Sequence, residues 1–151
     1  MNTAHFIASN HPAPGPGPAS ASEPQLRKDG HRLSVIIVED DLQVAGLLKD
    51  ILEEHGGRVT RIAAEPSEAF GLVVEYKPDA VIMDVRLKDG RDGLHAAAAM
   101  RLLRQTPIVF CTASADVETL KRIRQFGGAP CLFKPIKPGE LAHAILRACG
   151  L

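Results

Sequence analysis

Tryptophan is absent from the 151-residue sequence and tyrosine occurs once, which removes intrinsic fluorescence as a useful report on ligand binding. Cysteine is scarce. Cys111, Cys131 and Cys149 are odd in number and lack C-x-x-C spacing, which argues against a disulfide framework or a zinc site and for small thiols in a reducing compartment. A charge excess of either sign is also missing: 18 Lys and Arg balance 18 Asp and Glu. The overall balance therefore offers nothing to nucleic acid or an anionic membrane surface, and direct DNA binding is not expected. No apolar run approaches the roughly 18 residues of a spanning helix, and the N-terminus lacks the apolar core of a secretory signal. The expectation is a cytoplasmic protein without membrane insertion. A chain of 151 residues suits one domain that buries a core without disulfides or metal staples.

Two compositional zones follow one another. Residues 1–31 carry a Pro/Gly stretch from His11 to Pro18 and an Ala/Ser stretch from Ala19 to Ser22, with few large apolar groups. They are expected to form a disordered tail, and residues 32–151 a single domain. In the second zone β-branched runs alternate with helical periodicity. The first strand, residues 33–38, ends in three acids, Glu39, Asp40 and Asp41. Leu42, Ala45, Leu48 and Leu52 then recur at helical spacing, with Asp41 as N-cap and His55, Gly56 and Gly57 as the stop. Residues 58–62 read as a polar edge strand, and residues 65–76 as a helix with Ala69, Leu72 and Val73 inward.

A short run, Ala80 to Met83, fits a strand buried on both faces and delivers Asp84. After it comes a polar, Gly-punctuated loop from Arg86 to Gly93, and a helix from near Asp92 with Leu94, Ala98 and Leu102 on one face. The fourth strand, residues 108–111, ends in Thr112, Ala113 and Ser114. The fourth helix (α4, about residues 116–125) has only Val117, Leu120 and Ile123 as an apolar stripe, so weak docking is expected. The fifth strand (β5, residues 131–133) stops at Lys134 and Pro135, and the fifth helix (α5, residues 139–149) packs through Leu141, Ile145 and Leu146.

Five strand–helix alternations predict an α/β fold, a flavodoxin-like (βα)5 doubly wound parallel sheet with strand order 2-1-3-4-5. That order places Glu39, Asp40, Asp84, Thr112 and Lys134 at one edge, the carboxyl ends of the strands. Neighbouring strands lie roughly 4.8 Å apart, so Asp40 and Asp84 can share a ligand. Clustered carboxylates repel, and the natural remedy is a hard divalent cation bound through oxygen, with Mg2+ the obvious candidate. Mg2+ among carboxylates, with an ammonium and a hydroxyl opposite, is a cradle for a phosphoryl group. One carboxylate must then accept it.

These residues also carry a resemblance. From Leu33 to Ala148 the chain resembles the receiver domain of two-component response regulators, through Val38-Glu39-Asp40, Val81-Ile82-Met83-Asp84, Phe110-Cys111-Thr112-Ala113 and Phe133-Lys134-Pro135. The resemblance implies that Asp84 is the phospho-acceptor, forming a 4-aspartylphosphate, and that Asp40 binds Mg2+ directly and Glu39 through water. It also implies that Arg86 gives its backbone carbonyl to the metal, Thr112 donates to a phosphoryl oxygen, Lys134 pairs with another, and the Lys134–Pro135 bond is cis. A sensor histidine kinase or histidine phosphotransferase is the implied donor, and an unknown downstream protein reads the α4-β5-α5 face. Since Leu151 ends the sequence, a stand-alone receiver is expected, a phospho-acceptor rather than an enzyme.

Three departures from the family pattern stand out. The loop after Asp84 is one residue longer than the commonest receiver loop and lacks its proline. Cys131 stands where many receivers carry a Tyr or Phe that turns inward, so coupling between Thr112 and the loop before α4 is expected to carry the signal. Arg86 and Ser114 occupy positions that border the phosphoryl group in receivers. A pseudo-receiver would use the same surface as a constitutive binding module. An aspartyl-phosphate phosphatase would need an acid two residues after the nucleophile, where Arg86 stands. Nucleotide or flavin binding would need a Gly-rich turn where Glu39, Asp40 and Asp41 stand.

Overall fold

The protein is described here from a computed structural model, over residues 22–87 and 92–151. A parallel sheet is formed by β1 (Ser34–Val38), β2 (Arg58–Ala63), β3 (Ala80–Asp84), β4 (Ile108–Thr112) and β5 (Cys131–Phe133), of which β1, β3 and β4 are apolar runs rich in β-branched residues. Its order is β2-β1-β3-β4-β5, as the alternation predicts. The connecting helices are α1 (Leu42–Glu54), α2 (Pro66–Tyr76), α3 (Gly93–Leu103), α4 (Val117–Gln125) and α5 (Pro138–Ala148).

Side chains alternate along each strand and feed two cores. Val35, Ile37, Ile82 and Val109 pack with α1 and α5 on one face. Ile36, Val38, Val81, Met83 and Phe110 pack with α2, α3 and α4 on the other. Cys111 is fully buried in the first core, and burial pushes its thiol well above the ordinary range. The registers Val38 to Met83, Asp84 to Cys111 and Thr112 to Phe133 bring the carboxyl ends of β1, β3, β4 and β5 level.

The tail expected over residues 1–31 lies outside the described residues as far as residue 21, and from there its end is corrected. Arg27–Lys28 pairs antiparallel with His31–Arg32 around a turn at Asp29 and Gly30, both at positive φ. Leu26 is fully buried in the α1/α5 core. Its N–H donates to the His55 carbonyl at 2.7 Å and its carbonyl accepts from Leu33 N–H at 2.9 Å. A single leucine among polar residues has no periodicity to reveal it, and its pocket is supplied by residues such as Leu33 and Leu52 from elsewhere in the chain.

Three helix faces also differ from expectation. In α1 the inward set is Ala45, Leu48, Ile51 and Leu52, whereas Leu42, in the first turn, is 77 % exposed. In α3 the inward set is Leu94, Ala96, Ala97 and Met100, and Ala98 and Leu102 face outward, Leu102 at 90 % exposure. The alanine run offers several registers of almost equal hydrophobicity, so periodicity alone does not choose among them. In α4, Thr119 and Ile123 are buried while Val117 is 81 % exposed. The loop from Arg86 to Gly93, expected to be one residue longer than usual, lies outside the described residues at 88–91.

Candidate functional site: a carboxylate notch faced by a lysine

β1 delivers the first acids. Glu39 N–H donates to the Ala63 carbonyl at 3.0 Å, which continues the β1–β2 pairing one residue past the strand and holds Glu39 nearly inaccessible at 2 % exposure. Asp41 caps α1 as expected, accepting from the N–H groups of Gln43 and Val44 at 3.0 and 3.3 Å. That fixes the turn on which Asp40 stands. β3 delivers Asp84, 6 % exposed, whose Oδ1 accepts from Arg86 N–H at 3.2 Å. Gly93 makes this placement feasible. A Cβ there would lie 1.9 Å from the Asp84 carbonyl oxygen, so only glycine lets α3 begin against the end of β3.

β5 ends at Lys134, whose N–H donates to the Thr112 carbonyl at 2.9 Å; the peptide bond to Pro135 is cis. The ammonium reaches across β4 and lies 2.7 Å from Glu39 Oε2 and 3.1 Å from Asp84 Oδ2. Glu39, Asp40 and Asp84 each offer a carboxylate oxygen, all within 4.8 Å of one another. Three oxygen donors this close suit a hard divalent cation such as Mg2+, and the residues present fit one. Burial pushes the Glu39 carboxyl up, and the nearby Asp84 charge adds to this, against the downward pull of its hydrogen bonds with Lys134 and Asp41 N–H. Burial works against the Lys134 ammonium, but its hydrogen bond to Glu39 and the Asp84 charge hold its pKa above the ordinary lysine value.

Of the residues predicted from sequence, Glu39, Asp40, Asp84 and Lys134 are thus brought together, and Thr112 stands at the neighbouring strand end with a qualification. It is buried at the tip of β4, but its hydroxyl is bonded into its own loop, donating to the Ser114 carbonyl at 3.2 Å and accepting from Ser114 N–H at 3.1 Å. Arg86 contributes its backbone N–H to Asp84, while its guanidinium turns to α4 and lies 2.8 Å from Asp116 Oδ2.

Asp116 and Asp92 are the residues that sequence reasoning missed. Asp116 caps α4 through Thr119 N–H at 2.9 Å and also accepts from the hydroxyls of Ser114 and Thr119, at 2.6 and 2.8 Å. Asp92 caps α3 through Leu94 N–H at 2.9 Å and pairs with Arg122 of α4. Two ion pairs of opposite sense therefore tie α4 to the loop after β3, across a crevice of about 310 Å³. The caps themselves follow a familiar Asp-before-helix pattern, but each pairing joins residues 30 positions apart and leaves no mark in the sequence.

The sequence profile of the response regulator receiver domain matches residues 35–146. The transcriptional regulatory protein PdtaR of Mycobacterium tuberculosis is 36 % identical over 111 residues, covering 74 % of this chain and 54 % of that protein. The transcriptional regulatory protein YvrH of Bacillus subtilis is 34 % identical over 113 residues, covering 74 % and 47 %. The chain thus spans about half the length of these relatives. Among solved structures, the signal receiver domain of a modulated diguanylate cyclase from Desulfovibrio desulfuricans G20 superposes with a TM-score of 0.73 at 31 % identity, covering 80 % of this chain and 95 % of that one.

Proposed function

Because the chain belongs to the response regulator receiver domain family, we propose that Asp84 accepts a phosphoryl group from a phosphohistidine and that the change is passed to the α4-β5-α5 face. The observation that carries this reading is the Lys134 ammonium at 3.1 Å from Asp84 Oδ2, beside the Glu39 and Asp40 carboxylates. An Asp84 carboxylate oxygen attacks phosphorus as the P–N bond of the phosphoimidazole breaks, and the bonding pair leaves on the imidazole nitrogen. Lys134 neutralises one phosphoryl oxygen, and the Thr112 hydroxyl rotates from the Ser114 carbonyl to another. Glu39, Asp40, Asp84 and the Arg86 carbonyl would hold Mg2+, which when bound offsets charge on the transferring oxygens.

The donor is a sensor histidine kinase or a histidine phosphotransferase, and the reader is a downstream protein on the α4-β5-α5 face. Among the described residues no helix is long and apolar enough to cross a membrane, and the proposed location is the cytoplasm. The chain acts as a phospho-acceptor with slow self-dephosphorylation, not as a turnover enzyme, since Arg86 stands where a phosphatase would place its second acid. Incubation with acetyl phosphate and Mg2+, followed by intact-mass measurement, tests the reading. One phosphoryl adduct is expected on the wild type and none on Asp84→Asn. Equal labelling of both, or of neither, rejects it.

A further inference from the structure

We propose that Asp116 is the positioning residue that holds the Arg86 guanidinium away from the phospho-acceptor, so that a phosphoryl group on Asp84 and the first turn of α4 compete for one cation. This rests on the reading of Asp84 as the acceptor.

Arg86 starts beside the site, since its own N–H is bonded to Asp84 Oδ1 at 3.2 Å. Its guanidinium instead lies 2.8 Å from Asp116 Oδ2 and 3.4 Å from Thr119 Oγ1. The Arg86 side chain is 66 % exposed, and an ion pair this open to water is held weakly. Asp116 does not depend on it. The carboxylate keeps the Ser114 hydroxyl, the Thr119 hydroxyl and the Thr119 N–H as donors when the arginine leaves, so the helix stays capped and no charge is stranded.

A phosphoryl group on Asp84 carries close to two negative charges against the single charge of Asp116, and its oxygens keep lone pairs for the planar guanidinium fork beside those taken by Lys134 and Thr112. Arg86 therefore transfers to it. The loss falls on the start of α4, where Val117 is already exposed, while the second tie, Arg122 to Asp92, remains farther along the helix. Ser114 joins the same node from the other side, bonded both to Thr112 and to Asp116. Both groups that respond to the acceptor thus converge on one carboxylate.

The test is the affinity of the full chain for beryllofluoride in Mg2+, read by fluorine NMR, in the wild type, Asp116→Asn, Arg86→Ala and the double variant. Asn caps a helix as well as Asp does, so D116N removes the charge and keeps the cap. D116N is expected to bind the probe about two- to fivefold more tightly, the worth of an exposed ion pair, and R86A more weakly. R86A/D116N is expected to match R86A, because without the arginine there is nothing left to release. An unchanged D116N affinity overturns the proposal. So does tightening of equal size in the R86A background, which would report only the removal of a nearby negative charge. Should D116N not fold, Asp116→Ser also caps and is read the same way. If the wild type fails to bind, or Asp84→Asn binds equally well, the acceptor reading fails and takes this proposal with it. If wild type and D84N behave as expected, only the competition is at stake.

Discussion

The ammonium of Lys134 sits where it serves two opposed purposes. At 2.7 Å from Glu39 and 3.1 Å from Asp84 it neutralises buried carboxylates, and by doing so it repels any divalent cation drawn to the same oxygens. Lys134→Ala is accordingly expected to bind Mg2+ roughly tenfold more tightly, from loss of a like charge beside the same carboxylate oxygens, while its labelling by acetyl phosphate falls. A Mg2+ titration followed by amide chemical shifts measures the first effect, and unchanged or weaker binding would contradict it. The acids, the threonine and the lysine of this site were legible in the sequence because each terminates an apolar run, where burial alone gives a charged or polar group nothing. Asp116 was not legible. Its importance comes from meeting Arg86 in space, and a helix-capping aspartate looks the same whether or not an arginine reaches it.

Among the elements, the five strands of the parallel sheet were read correctly because short apolar runs bounded by polar residues admit little else, whereas the Arg27–Arg32 hairpin, polar throughout, was not foreseen and the helix faces depended on which of several registers packs. The Ala96 to Ala99 stretch is the clearest instance: it hides the inward face of α3, yet the contact that matters lies at that helix's first residue. Gly93→Ala is expected to cost about 1–3 kcal/mol in urea unfolding, as overpacking does, and to lower phosphoryl adduct formation, since the 1.9 Å clash falls on the Asp84 carbonyl. A variant as stable and as readily labelled as the wild type would show that α3 is not seated there. α4 supplies a pH prediction. Burial works to raise Asp92, but its hydrogen bonds with Arg122 and the Leu94 and His95 N–H groups prevail and lower it. Asp116 is lowered by the Ser114 hydroxyl and then by Thr119. A carboxylate depressed in the folded state adds stability that is full above its unfolded pKa of about 3.9 and is lost as pH falls through its folded value. Both ties therefore hold at neutral pH and fail in acid. Hydrogen exchange of α4 amides should accelerate below about pH 4, after correction for intrinsic rates, before that of β1 and β3. Simultaneous loss in all three would contradict it.

At the scale of the whole molecule, the sheet separates what stabilises the domain from what acts. Its carboxyl edge gathers Glu39, Asp40 and Asp84, a concentration of like charge that works against folding. Its opposite edge is closed by the Arg27–Arg32 hairpin, which lies outside the matched receiver profile beginning at residue 35 and plugs the α1/α5 core with Leu26. The seal is tight: a Cβ on Gly57 would meet Leu26 Cδ1 at 3.0 Å, and Arg32 donates to the Gly57 carbonyl at 3.1 Å. His55, buried at the end of α1, completes it, with Nδ1 2.8 Å from the Ile51 carbonyl. One strand length, about 17 Å, lies between this closure and Asp84, so a defect at one end need not disturb the other. Leu26→Ala is expected to lose about 2–5 kcal/mol in urea unfolding, as a fully buried leucine does, while the folded variant accepts a phosphoryl group from acetyl phosphate as fast as the wild type. A loss below about 1 kcal/mol would mean that the hairpin contributes little to the domain. A slowed reaction in fully folded protein would mean that the two edges are coupled through the sheet.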